Sequence, residues 1–139
     1  MTKEDKELLL QDLCGRLPYK PIVQIEDCGI WNLRGIDHDD SAELRDRVIV
    51  WHGKNYPSSK NSFPISNCKP YLFPLSSMTE EQITEYNQLL ELELKAINDE
   101  IPQSYATAFE VDFYNKHHLD WRGLIPLGLA IDATGLNIY

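Results

Sequence analysis

The chain holds three cysteines in 139 residues, at positions 14, 28 and 68, with no CxxC pair. That excludes a disulfide scaffold and a four-cysteine zinc module, and it fits reduced thiols in a cytoplasm. Basic residues are scarce as well, 13 Lys and Arg against 22 Asp and Glu, a formal charge of −9. Such a balance argues against a nucleic-acid coat or a basic membrane binder. No apolar run approaches the roughly 20 residues of a membrane span, and the first residues are charged rather than signal-like. No GxSxG, P-loop or HExxH pattern occurs, so the reading leans away from an enzyme, with no catalytic residue and no cofactor expected and a metal-dependent hydrolase on His117, His118 and Asp120 ranked last. The apolar fraction of 42% does suffice for one folded core of ordinary size.

The acidity is local. Residues 1–75 carry 10 basic and 11 acidic side chains, whereas residues 76–100 carry seven acids and Lys95 alone. Within the first part, 26–43 is acidic and 44–70 is basic, which predicts hairpin neighbours of opposite sign.

Periodicity divides the chain into four parts. Leu8, Leu9, Leu10, Leu13 and Leu17 predict a helix within 1–17, capped by Thr2 and stopped by Gly15 and Pro18. Residues 18–75 read as β-rich. Three or four antiparallel strands fall between 20 and 53, turning at Asp27-Cys28-Gly29 and at Asp37 to Ser41, followed by a long loop over 53–70. Residues 76–119 are helical. Thr79 and Gln82 form a capping box, Met78 and Ile83 a hydrophobic staple, and Ile83, Tyr86, Leu90, Leu94 and Ile97 a stripe. A shorter helix follows over 104–118. Residues 120–139 form an extended apolar tail, either packed back on the core or used for self-association. The expectation is a single α+β domain.

Three strings, DLCGRLPY (12–19), KPYLFPLSSMTEEQ (69–82) and NKHHLDWRGLIPLGLAI (115–131), cover about 39 residues. In order and spacing they resemble a family of small uncharacterised bacterial and phage or prophage proteins. The resemblance implies a mobile-element setting and supplies no mechanism.

Several weak sites stand out. His117, His118 and Asp120 are weak candidates for a metal, but adjacent histidines on a helix diverge by about 100°. A helix C-terminus, with Asp120 and Arg122 orienting the turn, explains them better. Asp37-His38-Asp39-Asp40 lacks the spacing and central glycine of a calcium loop and reads as a hairpin tip. Cys68, beside Lys69 in the polar loop, is the one thiol with an activating neighbour. The stretch Arg45 to Lys69 mixes five bases with Trp51, Tyr56 and Phe63, as single-strand nucleic-acid grooves do, though the acidic helix weighs against it. Trp31, Arg34, Trp121 and Arg122 suggest a nucleotide-like pocket between sheet and tail. Glu81, Glu85 and Glu93 suggest a helix face for a protein partner, and this non-enzymatic binding role is the leading expectation.

Overall fold

The computed structural model describes residues 1–37, 46–51, 60–98 and 103–139. The fold is α+β. Helix α1 (Lys3–Arg16) opens with Thr2 as N-cap: its hydroxyl accepts from the Asp5 N–H while the Asp5 carboxylate accepts from the Thr2 N–H. Its buried face is Leu9, Asp12, Leu13 and Arg16, a three-four spacing that is half apolar and half ionic. The helix runs through Gly15, the expected stop, and ends at Arg16.

Five strands follow, β1 (Ile22–Ile25), β2 (Gly29–Asp37), β3 (Arg47–Trp51), β4 (Lys60–Pro64) and β5 (Cys68–Leu72). With the short β6 (Ile131–Asp132) they form one sheet in the order β4-β3-β2-β1-β5-β6, antiparallel except for β5–β6. Asp27 and Gly29, at φ 59° and 86°, turn β1 into β2 where the sequence placed a turn. The expected loop over 53–70 is corrected: its second half carries β4 and the start of β5. Cys68 is buried on the core face there, and burial pushes its thiol up to about 12. Residues 38–45 and 52–59, including the Asp37–Asp40 tip beyond Asp37, lie outside the described residues.

Strand alternation gives the sheet two faces. Val23, Ile25, Leu33, Val48, Val50 and Cys68 point into the core, against Leu9 and Leu13 of α1 and against Leu124, Leu129 and Ala130. The apolar tail therefore packs back on the core, leaving Leu127 and Leu136 exposed. Helices α2 (Glu80–Asn98) and α3 (Gln103–Lys116) form an antiparallel hairpin. The capping box at its entry is present: Thr79 Oγ1 accepts from the Gln82 N–H, and Gln82 Oε1 accepts from the Thr79 N–H. Among the described residues no helix is long and apolar enough to cross a membrane.

Candidate functional site

The three strings singled out in the sequence meet at one place, the junction of α1, the end of β5 and the turn after α3. Asp12 and Arg16 are fully buried and paired, with Arg16 Nε donating to Asp12 Oδ2 at 2.6 Å and Nη2 to Oδ1 at 3.0 Å. The same Nη2 donates to the Leu119 carbonyl at 2.8 Å, and Arg122 Nε lies 3.6 Å from Asp12 Oδ1. Asn115 Nδ2 donates to the Gly15 carbonyl and its Oδ1 accepts from Trp121 Nε1 at 2.9 Å. The Phe73 N–H donates to the His118 carbonyl, and the Asp120 N–H donates to the Phe73 carbonyl, both at 2.8 Å. Asp120 accepts from the Leu124 and Ile125 N–H groups, closing the turn into the tail. Buried charges cost several kcal/mol unless paired or hydrogen-bonded, and this junction pairs Asp12 with Arg16 and gives the Asp120 carboxylate two backbone N–H donors. Its chemistry is that of a structural clamp.

The histidines follow from that role. Past the end of α3, His118 takes φ 56° and stacks on Tyr139 at 3.6 Å, while its Nδ1 is buried without a partner. Burial, with Arg16 and His117 nearby, brings its pKa down to about 4. His117 Nε2 lies 2.8 Å from Glu85 Oε2, with its ring edge on Phe113. His117, His118 and Asp120 thus serve three different partners, and no metal-holding cluster occurs among the described residues. Tyr139 completes the clamp, donating its hydroxyl to the Tyr71 carbonyl and accepting from the Ile22 N–H.

The four residues read as a nucleotide pocket do not form one constellation. Trp31 faces the core and meets Phe63 edge-on at 5.8 Å, whereas Arg34 is on the opposite face of β2, over the Trp51 ring. Trp121 stacks on Tyr114 and carries Arg122 on its own ring at 4.1 Å. A cleft of about 490 Å³ does lie between sheet and tail. Its lining is Gln24, Glu26, Asn67 and Lys69 against Leu127 and Leu129, together with the start of α1. One cation and no aromatic ring do not suit a nucleobase and its phosphate.

The acidic face of α2 is also rearranged. Glu85 receives Lys116 Nζ at 3.0 Å as well as His117, and these hydrogen bonds hold its carboxyl below the usual range. Glu93 turns toward Glu110 of α3; burial and that like charge raise its pKa. Of the three expected carboxylates, Glu81 remains on the open side. What α2 exposes instead is apolar: Ile83 at 46% and Leu94 at 63% share one side of the helix with the half-buried Leu90, and Leu92 is exposed on another flank. Glu80 and Glu91, each three residues before an exposed apolar side chain, border that strip. Leucine spacing in the sequence reveals the stripe but not which part α3 covers. The ionic half of the α1 face escaped a reading that followed leucines alone; Asp12 and Arg16 at i and i+4 on the Leu9–Leu13 side were the available signal.

No family model, no curated protein and no solved structure matches the chain.

Proposed function

We propose that this chain works by binding another macromolecule, a basic amphipathic segment of a partner protein, on the exposed side of α2. The observation that carries the reading is the strip Ile83–Leu90–Leu94, with Ile83 and Leu94 open to solvent and Leu90 half-buried, on the flank of α2 next to the side that Tyr86 turns to α3. A solvent-exposed aliphatic strip is costly to keep without a use, and its border of Glu80 and Glu91 selects cationic rather than acidic partners. Helix-in-groove recognition uses this combination, apolar anchors at helical spacing and charge at the rim. A phage or prophage accessory role rests on the resemblance of the three strings and belongs to the same proposal.

The test is a heteronuclear NMR titration with a Lys/Leu amphipathic helical peptide. The reading expects shifts confined to α2 and its neighbours in α3, lost in Ile83→Ser/Leu94→Ser and weakened in Glu80→Lys/Glu91→Lys. Shifts elsewhere, or none, remove α2 as the docking face.

A further inference from the structure

The side of the sheet turned away from the core carries a second surface of opposite sign. By register, Lys60 of β4, Arg47 of β3, Arg34 of β2 and Lys69 of β5 share that side with Asn32, Gln24 and Trp51. Among the described residues, Asp37, opposite Arg47 at one end of β2, and Glu26, just beyond β1, lie at its margin, and Asp5 of α1 joins Glu26 in the cleft that Gln24 and Lys69 line. So the net charge of −9 is segregated: the acids gather on the helical hairpin while this face is cationic.

The irregularity in β2 sharpens the point. The register shifts between Leu33 and Gly35, leaving Arg34 as the extra residue of a β-bulge opposite Ile49. Bulges re-aim side chains, and here the result is the Arg34 guanidinium 5.6 Å above the Trp51 ring. Arg34 itself is exposed, and Lys60 lies directly across from Trp51 on the edge strand. Arg47 is fixed by Ser62, its Nε donating to Oγ at 2.7 Å and Nη2 to the carbonyl at 2.8 Å. From β4 to β5 the cations are spread over four strand intervals, roughly 19 Å, the length of a few nucleotides.

We propose that this face binds single-stranded nucleic acid, with the cations tracking phosphates and the Arg34–Trp51 pair offering a base a flat surface to stack on. An acidic peptide would use the cations but has no need of the stacked pair. A duplex cannot present an unpaired base to it. The stretch 45–69 suggested such a groove in the sequence with three aromatic rings. The structure keeps Trp51 for it and puts Phe63 in the core, and Tyr56 lies outside the described residues.

The experiment is fluorescence anisotropy of labelled oligo(dT) and oligo(U) of about ten nucleotides, titrated with the full chain from low to moderate salt. Four engaged cations predict a slope of log K against log salt of about −3 for a single strand. Arg34→Glu/Lys60→Glu should weaken binding at least tenfold at low salt and flatten the slope. Trp51→Leu should weaken it roughly tenfold, the size of one lost base stack, with the slope unchanged. Lys60→Ser/Lys69→Ser, both exposed, repeats the charge test should the Arg34 variant fail to fold. Glu80→Lys/Glu91→Lys should not weaken binding. Absence of binding at low salt, equal binding of duplex, indifference to these substitutions, or displacement by poly-glutamate at matched charge each overturns the proposal.

Discussion

Asp12 and Arg16 sit in the interior as ions, and their value depends on both being present. Removing one partner leaves the other charged, desolvated and unmatched, so Asp12→Ala should lower the unfolding free energy by about 3–5 kcal/mol. The double replacement Asp12→Leu/Arg16→Met should lose clearly less than the two single changes added together, because the desolvation penalty leaves with the charges. Urea denaturation of the three variants decides it; strict additivity would mean that the pair is not coupled. His118 makes a second prediction at this scale. Above pH 6.5 it is neutral folded and unfolded. Between pH 6.5 and about 4 only the unfolded chain takes up the proton, so stability falls as pH falls through that window. The loss is on the order of 2 kcal/mol after allowance for its partial exposure. His118→Asn keeps a residue tolerant of the left-handed backbone and should flatten the pH dependence of stability over that range.

At the scale of elements, the capping box is the most direct case of sequence becoming structure. Thr79→Ala removes the acceptor for the Gln82 N–H and should cost about 1 kcal/mol, seen as lower helicity and an earlier thermal midpoint. The helices were legible because their signals are local: Thr2 and Thr79 as caps, leucines at three and four. Strands β1, β2 and β3 were legible because they alternate or run apolar. β4 was not, since KNSFP at the sheet edge buries little and spells a loop, its identity residing in its pairing with β3. The start of β5 was lost to the same polar stretch, although Cys68 is fully buried. The tail was legible as apolar and undecided as to partner. Its choice of the core follows from Asp120, whose carboxylate fixes the turn that aims Leu124 inward. The candidate sites were least legible, because they depend on which flank of a helix or face of a strand survives packing. A bulge at Arg34 cannot be read from composition.

On the scale of the whole molecule, the two titrating regions respond to acid in opposite directions. Glu93 lies against Glu110 across the hairpin and has its pKa raised on folding, so the folded hairpin binds the proton more readily than the unfolded chain. Lowering the pH through the carboxylate range therefore tightens α2 on α3 and relieves repulsion between the helices. His118 behaves in reverse, because the clamp that joins α1, β5 and the turn after α3 holds it neutral. Local stability in a folded chain is not uniform, and hydrogen exchange reads it segment by segment. After correction for intrinsic rates, lowering the pH from 7 to 5 should speed exchange at residues 115–125. Over the same interval the α2–α3 contact around Glu93 and Glu110 should be protected or unchanged. Glu93→Gln should remove the acid-dependent part of the hairpin's protection without touching the turn. If both regions loosen together, with the same pH dependence in wild type and variant, the clamp and hairpin unfold as one unit, and the opposed titrations have no separate structural effect.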